Sequence, residues 1–344
     1  MKTAVTTRVL AIVLCVVLIF GLAAGLWSMS DSGSTRIPYG EKNPNGIAAD
    51  DIMITFVGME SVMAEEYFYY ALSVRDGYIR QYGAEVFEAY PFMADDLLYQ
   101  VDGLIISSNA YVLWGRQEGF ELSAEDYLDF DELLRDLEDR LAEDNIDKEE
   151  HFLQNYMTEE LFRRVYLRDV YIDKFFEEYM TAEHPFMAVT DAQIDDFARE
   201  NGIYGAKHIL INDEYGDRET QINTARELLE RITTGEDFDT LMLEMTKDPG
   251  IKDFPDGYTF ESGQAVNEFE DAALELEIGQ VSEVVESEHG FHIIKRIDIN
   301  RDGIRLQIQQ DRILETRIDY EKRLDPHTTE LRDGLVLMDM LPVM

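Results

Sequence analysis

The sequence contains little cysteine and few basic residues. Its 344 residues include one cysteine, Cys15, so the chain beyond residue 30 cannot form an intrachain disulfide, a thiol nucleophile or a cysteine-ligated zinc site. Only 30 Lys and Arg residues stand against 71 Asp and Glu residues, and the formal net charge is −41. A charge of this size argues against binding to nucleic acid and against basic patches for anionic lipid. It suits a strongly solvated surface, basic partners or cation-rich surroundings.

Charged residues are also absent from the segment Val9 to Trp27 near the N-terminus. As a helix, this segment would extend about 28 Å, close to the thickness of a bilayer core. Lys2 and Arg8 precede it, so the positive-inside rule predicts a cytoplasmic N-terminus. Residues 1–29 are therefore interpreted as a membrane anchor, with a cleaved signal peptide as the alternative. Residues 30–49, rich in Ser, Gly, Pro and Asn, are expected to form a flexible stalk.

Helical periodicity dominates the next region, residues 50–202. A helix is expected from Ser61 to about Gln81 with Ser61 as its N-cap, and another from Asp126 to Glu143. Residues 300–344 contain one further helical segment and are too short to bury a core of their own. We therefore expect residues 300–344 to pack on the helical region, forming a discontinuous domain with an insertion between its halves.

The inserted region carries two histidines 84 residues apart, each within a short apolar run that is typical of a strand. His208 lies in AKHILI and His292 in HGFHIIKRID. Between them are two helical segments, the acidic turn Lys247 to Gly250 and the stretch 257–285. The pattern predicts the element order β-α-α-β-α-β-β, with strands that include 281–285.

These strings and their order resemble a parvulin-type peptidyl-prolyl cis-trans isomerase domain, over residues 203–299. The resemblance implies an α+β fold in which a small antiparallel sheet is wrapped by helices. The whole arrangement is that parvulin-like domain inserted in a mainly helical domain behind an N-terminal transmembrane helix, and it resembles extracytoplasmic foldases of the PrsA and SurA type.

The resemblance also assigns residues to a site. The paired histidines and one acidic residue would be catalytic: His208, Asp248 and His292. A pocket for the proline ring would be formed by four other side chains: Phe269, Phe260, Val266 and Tyr258. Taken singly, a buried histidine or phenylalanine is an ordinary core residue, and an aspartate before Pro-Gly is an ordinary surface turn. Whether Asp248 would act through its charge or by ordering a hydrogen-bond network is left open by the sequence.

Rotation about an X-Pro bond makes and breaks no covalent bond, so neither a metal nor a cofactor is expected. The obstacle is the partial double-bond character of the amide, a barrier of roughly 20 kcal/mol. A catalyst must hold the proline ring in an apolar slot and favour the twisted state electrostatically. The loop 212–218 carries three acids and one base, which argues against phosphoserine-directed specificity. The string 298–303 resembles the start of a calcium loop but is better interpreted as a turn.

Two functions follow as expectations. The first is a peptidyl-prolyl isomerase that assists the folding of exported proteins. The alternative is a catalytically weak or inactive holdase that binds unfolded clients through the helical domain. Departures from the family pattern favour the alternative slightly: Gly257-Tyr258 stands where many members have Leu-Gly, and Ala265 stands where they have methionine. The expected location is a single-pass protein of the cell membrane with extracytoplasmic domains, or a secreted protein after signal cleavage. The expected partners are unfolded exported polypeptides and the membrane, with no nucleic acid.

Overall fold

The computed structural model describes residues 47–335 except 84, 156 and 182. The predicted membrane anchor and nearly all of the predicted stalk lie outside these residues. Within the described part of the chain, no helix is long and apolar enough to cross a membrane. The described residues form two compact units. The helical unit contains those up to Phe186 and those from Leu314 onward, and the sheet unit contains Met187–Ile313.

The predicted α+β class is confirmed by the mixture of helices with small antiparallel sheets. Along the described residues the helices and strands are β1 (Ile52–Thr55), β2 (Val62–Met63), α1 (Ala64–Tyr82), α2 (Val86–Ala89), α3 (Phe92–Gln117), α4 (Ala124–Glu143), α5 (Lys148–Gln154), α6 (Glu159–Tyr179), α7 (Asp191–Glu200), β3 (Tyr204–Ile211), α8 (Arg218–Thr233), α9 (Phe238–Met245), β4 (Tyr258–Phe260), α10 (Asn267–Glu275), β5 (Val285–Ser287), β6 (Gly290–Ile297), α11 (Arg301–Leu324), β7 (His327–Thr328) and α12 (Glu330–Asp333).

Side-chain caps begin some of the helices in the helical unit and not others. Ser123 caps α4 through a reciprocal capping box with Asp126, which fixes the start of the helix. The prediction that Ser61 caps the first helix is wrong. Val62 and Met63 pair with β1 as strand β2, so their backbone groups serve a sheet and α1 begins only at Ala64, without a side-chain cap.

Segments far apart in sequence complete the core of the helical unit. Trp114 on α3 is almost fully buried, and its ring stacks on Tyr320 of α11 at 5.9 Å between centroids. Strand β7 pairs with β1, and Arg332 on α12 forms an ion pair with Asp102 on α3. The C-terminal residues therefore contribute directly to the packing of this unit.

The sheet unit is built on one four-stranded antiparallel sheet with the order β4-β3-β6-β5. Its element order, β3-α8-α9-β4-α10-β5-β6, confirms the predicted order. The predicted strand at 281–285 is corrected to β5 at Val285–Ser287. Val281 makes only an isolated bridge to Lys295, because the side chain of Ser282 takes the Ile294 N–H at 2.9 Å in place of a regular ladder bond.

The two faces of this sheet bury separate apolar clusters. Because side chains alternate along a strand, neighbouring residues of β3 and β6 point to opposite faces. One face packs on α8 and α9 through residues that include Ile209, Ile211, Leu228, Leu241 and Ile293. The other face packs on α10 through residues that include Tyr204, Ala206, Phe269, Ala273 and Ile294. Even-numbered positions of β3 therefore belong to the α10 face, and the predicted site residue His208 is one of them.

Candidate active site

The register of β3 and β6 brings the two predicted histidines together. His208 lies opposite Ile294, and His292 lies opposite Leu210. Residues two positions apart on paired antiparallel strands share one face of the sheet and lie within reach of each other. The two imidazole rings are nearly parallel, with centroids 5.4 Å apart and 3.3 Å between their Nδ1 atoms.

The segment after α9 runs beside β3 and carries Asp248 to these histidines. Lys247 donates its N–H to the carbonyl oxygen of Leu210 at 2.9 Å. The N–H of Leu210 donates in return to the Thr246 hydroxyl at 3.0 Å. The Thr246 hydroxyl thus accepts the hydrogen bond that a carbonyl oxygen of a neighbouring strand would otherwise accept. Asp248 follows two residues later, next to His208.

Asp248 uses both carboxylate oxygens. It begins a short 3-10 turn, Pro249–Lys252, and its Oδ1 accepts the Gly250 N–H at 3.1 Å. Its Oδ2 accepts hydrogen bonds from His208 Nε2 at 2.9 Å and from the Tyr258 hydroxyl at 2.5 Å. Asp248 can therefore be both a turn residue and a site residue, because Oδ1 stabilises the turn and Oδ2 binds His208 and Tyr258.

The hydrogen bonds constrain the protons along the network. A carboxylate only accepts, so His208 carries a proton on Nε2. With both histidines neutral, His292 donates from Nδ1 to His208 Nδ1, and its Nε2 accepts from the Ser287 hydroxyl at 2.7 Å. The Ser287 oxygen in turn accepts the N–H of His289 at 3.1 Å. Two neutral histidines and one carboxylate thus satisfy every bond in this chain.

The electrostatics of the site agree with that assignment. Burial would raise the pKa of Asp248, but the bonds from His208, Tyr258 and the Gly250 amide outweigh it and lower this pKa to about 2. Burial and, to a smaller extent, the neighbouring His208 lower the pKa of His292 to about 3. At neutral pH the site therefore contains an ionised aspartate and an uncharged His292.

An aromatic cluster adjoins the histidines on the α10 face. The Phe269 centroid lies 5.2 Å from that of His208 and 5.5 Å from those of His292 and Phe260. The Phe269 side chain is buried, whereas Phe260 and Val266 are partly buried against the same cluster. The side chains predicted to hold a proline ring thus lie on one side of the catalytic candidates.

Part of this chain is similar to known proteins. The model of the PPIC-type PPIase family, Rotamase, matches residues 208–298. The chain contains a parvulin-type rotamase domain. Foldase protein PrsA 4 of Bacillus cereus is 37% identical over 134 residues, 36% of this chain and 44% of that protein. Foldase protein PrsA of Geobacillus sp. is 31% identical over 159 residues, 42% of this chain and 54% of that protein. The chain spans about half the length of these curated relatives.

Two solved structures are also similar to this chain. The parvulin of Nitrosopumilus maritimus is 34% identical, with 28% of this chain and 95% of that chain covered and a TM-score of 0.23. The peptidylprolyl isomerase PrsA of Bacillus cereus is 22% identical, with 84% of this chain and 94% of that chain covered and a TM-score of 0.27.

The rotamase domain has a cavity beside the histidine network. Its volume is about 580 Å³, and His208, Asp248 and His292 are among the residues that line it. None of the four side chains predicted for the proline pocket lines this cavity. Its two basic groups both have acidic partners, since Arg218 pairs with Glu286 and Lys247 with Glu214. The rotamase domain therefore has an aromatic side and a polar side around one set of catalytic candidates.

Ser287 and Thr246 are the network residues that the sequence analysis missed. Ser287 ends β5 and pairs with Gly290, so a tight hairpin places it beside His292. Gly290 has a φ of +129°, and a Cβ there would collide with the Ile211 carbonyl oxygen, so this turn requires glycine. A hairpin prediction from Ser-Glu-His-Gly would have identified Ser287, whereas nothing local identifies Thr246.

The described residues contain no group of three or more His, Cys, Asp and Glu side chains that could hold a metal ion. At the calcium-like string, the Asn300 side chain accepts the Gly303 N–H at 3.1 Å and Asp302 pairs with Arg305 at the start of α11. These oxygens therefore serve a helix start.

Proposed function

We propose that this protein is a peptidyl-prolyl cis-trans isomerase that assists the folding of exported polypeptides. The observation that carries the proposal is the Asp248–His208–His292 network beside Phe269, within a rotamase domain. An ionised, fully hydrogen-bonded carboxylate next to an apolar aromatic cluster supplies what X-Pro rotation needs. Neither a metal nor a cofactor enters the proposed reaction.

The electrostatic part of the mechanism follows from amide resonance. A planar amide owes its double-bond character to a form with negative charge on oxygen and positive charge on nitrogen, and twisting abolishes that form. The resemblance to parvulins implies that Asp248 faces the carbonyl preceding proline. A fixed negative charge there disfavours the charge-separated planar form more than the twisted one, so it lowers the rotation barrier.

The apolar part of the mechanism is assigned to the aromatic cluster. Phe269 and Phe260 would hold the proline ring, with Val266 at the start of α10 narrowing the slot. Removing water from the amide also lowers the rotation barrier, because water stabilises the charge-separated planar form. The polar cavity on the other side of His208 would receive the chain that precedes the proline.

The cellular setting belongs to the same proposal. Residues 1–29 would anchor the chain in the cell membrane with a cytoplasmic N-terminus, or direct secretion if cleaved, and the folded residues would be extracytoplasmic. Residues 50–202 and 300–344 would form one chaperone-like helical domain with the isomerase domain, 203–299, inserted. The relatives are foldase proteins, which supports unfolded exported proteins as the clients.

The test is proline isomerisation of unphosphorylated X-Pro peptides by the full-length chain. His208→Ala should lower kcat/KM by at least about tenfold, because it removes the link between Asp248 and His292. His327→Ala, which removes an exposed histidine of the helical unit, is the control and should match the parent. Equal rates for the parent and His208→Ala would refute the proposed site.

A non-catalytic holdase is the second candidate, and one observation in the helical unit favours it. A cavity of about 440 Å³ is lined by apolar and aromatic side chains, among them Val112, Leu122, Tyr127, Leu167 and Tyr171, and also by charged ones, which include Glu66, Arg116, Arg164 and Arg168. Such a mixed lining suits a segment of an unfolded client that carries both apolar and polar side chains. The test is suppression of client aggregation by the full-length chain.

The holdase test has a matched pair of variants on α4. Tyr127→Glu places a charge in the cavity and should weaken suppression, whereas Leu128→Glu changes the adjacent, 64% exposed residue outside it. Equal suppression by both variants would exclude this cavity as the client site. Suppression that persists in His208→Ala would separate holding from catalysis.

A further inference from the structure

Tyr258 stands where many parvulins have a glycine, and its side chain reaches the catalytic candidates. It lies opposite Ala206 in the β3–β4 pairing, so it shares the face of His208. Its hydroxyl lies 2.5 Å from Asp248 Oδ2, the same oxygen that accepts from His208 Nε2. The sequence predicted Tyr258 as a filler of the proline pocket, whereas its polar end points to the carboxylate.

The surroundings of Tyr258 hold its ring in this position. The centroid of Phe254 lies 5.2 Å away, and that of Phe260 lies 5.5 Å away. A Cβ at position 250 would collide with the Tyr258 hydroxyl. The turn that presents Asp248 therefore leaves space for the hydroxyl only because position 250 is glycine.

We propose that Tyr258 is a positioning residue, whose hydroxyl holds the Asp248 carboxylate against His208 in the orientation that catalysis uses. The inference rests on the proposed isomerase function. With Gly250 N–H on Oδ1 and two donors on Oδ2, the carboxylate cannot rotate without breaking a bond. Without the hydroxyl, Oδ2 keeps only the histidine.

The protonation state of Tyr258 makes its hydroxyl the donor to Asp248. Burial raises the pKa of Tyr258, and the adjacent carboxylate raises it further, so the phenol keeps its proton and donates. The ionisable groups that face Asp248 are His208 from β3 and Tyr258 from β4, with His292 behind His208. Asp253, at the end of the 3-10 turn, acts on Tyr258 in the same direction as Asp248.

The experiment compares three single variants of the full-length chain. Tyr258→Phe removes only the hydroxyl, and Gly250→Ala keeps the hydroxyl but displaces it. Tyr204→Phe is the control: it removes another hydroxyl of the same sheet, which is buried and has no hydrogen-bond partner in the described part of the chain. We expect kcat to fall about tenfold in the first two variants and to stay at the parent value in the third.

The pH profile distinguishes positioning from a general loss of structure. Removing a donor raises the pKa of Asp248, so the acid limb of kcat/KM should move to higher pH in Tyr258→Phe. Rates and pH profiles equal to those of the parent in both Tyr258→Phe and Gly250→Ala would overturn the inference. A loss of kcat with an unshifted acid limb would also overturn it, since that pattern describes a packing role.

Histidine NMR keeps the inference separate from the proposed function. The chain has 6 histidines, so the nitrogen resonances of His208 can be assigned by single substitutions. In the parent, Nε2 of His208 should carry a proton that is hydrogen-bonded to Asp248. In Tyr258→Phe, the His208 resonances should shift, because its acceptor carboxylate is less restrained. An inactive parent would refute the isomerase function, while an unchanged His208 signal in the variant would refute the role of Tyr258.

Discussion

The two compact units each contain a partly buried aspartate, and the pKa values of the two shift in opposite directions. Asp248 in the sheet unit has three donors, which lower its pKa to about 2 despite partial burial. In the helical unit, Oδ1 of Asp169 is buried without a hydrogen-bond partner among the described residues, and burial raises the pKa of Asp169 to about 7. Donors therefore outweigh burial at Asp248, whereas Asp169 combines deeper burial with an oxygen that has no donor.

The units also differ in how their key side chains come together. In the sheet unit, His208 and His292 meet through one strand pairing. In the helical unit, Trp114 is surrounded by rings from α3, α6 and α11, including Tyr111, Phe175, Phe176, Tyr179 and Tyr320. A sheet register can therefore build a site from two short motifs, whereas a helical core draws on many separate segments.

The largest expected effect is on the aromatic core of the helical unit. Trp114→Ala should lower its free energy of unfolding by about 3 to 5 kcal/mol, because it leaves a cavity at an almost fully buried site. Urea denaturation followed by far-UV circular dichroism measures this loss. Tyr99→Ala, at a 77% exposed aromatic on the same helix, should change stability by less than about 0.5 kcal/mol. Similar losses in both variants would contradict the assigned core.

The next effect concerns the aromatic side of the rotamase site. Phe269→Ala should lower kcat/KM by about 100-fold, because the proposed proline pocket would lose a buried ring beside His208 and water would enter there. Stopped-flow isomerisation of an X-Pro peptide gives the ratio. Leu274→Ala changes a 52% exposed residue of the same helix and is the matched control. A Phe269→Ala variant that is folded and fully active would move the proline site elsewhere.

Acidification should change the stability of the two units in opposite directions. The pKa of Asp169 is raised in the folded state, so its contribution to stability is fully present below about pH 3.8 and is lost as pH rises through about 7. The pKa of His292 is lowered from 6.5 to about 3, so its contribution is present above about pH 6.5 and is lost as pH falls toward 3. Each effect should be on the order of 2 kcal/mol after solvent screening.

Two variants isolate these contributions. Hydrogen exchange of amides in α6 and in β6, corrected for intrinsic rates, reports each unit at pH 4 and pH 7. Asp169→Asn should remove the acid stabilisation in α6 alone. His292→Asn, which can still donate to His208, should remove the acid sensitivity in β6 alone. Changes of equal sign in both units of the parent would contradict the pKa shifts.

The smallest effect should come from the end of the network. Ser287→Ala removes the donor to His292 Nε2 and should reduce kcat about fivefold, which corresponds to about 1 kcal/mol. Ser287→Thr restores the hydroxyl and should recover most of the rate. An alanine variant as active as the parent would show that His292 does not need this bond.

Local patterns were enough to predict much of the rotamase domain. The order of its strands and helices agrees with the expectation from sequence patterns, because each element lies within a short stretch whose alternation or turn residues specify its conformation. The proximity of His208, Asp248 and His292 agrees with what the resemblance to parvulins implies. The roles assigned to the site residues stay predictions until the variants are measured.

Other features depended on partners that no local pattern names. Ser61 is a residue type that commonly caps helices, but the next two residues pair with β1 and form a strand. Tyr258 has the character of a pocket residue, but the turn at Gly250 admits its hydroxyl to Asp248. In both cases a segment distant in sequence decided between two locally acceptable states.

The sequence by itself determined the element order of the sheet unit, the helical character of the remainder and the acidic surface. Periodicity, turn residues and charge act within a few residues, so they can be read without coordinates. Only the tertiary structure decided which donors reach Asp248, that Asp169 lacks them, and which rings surround Trp114. Those outcomes depend on strand register and helix packing, which bring together residues separated by tens to hundreds of positions.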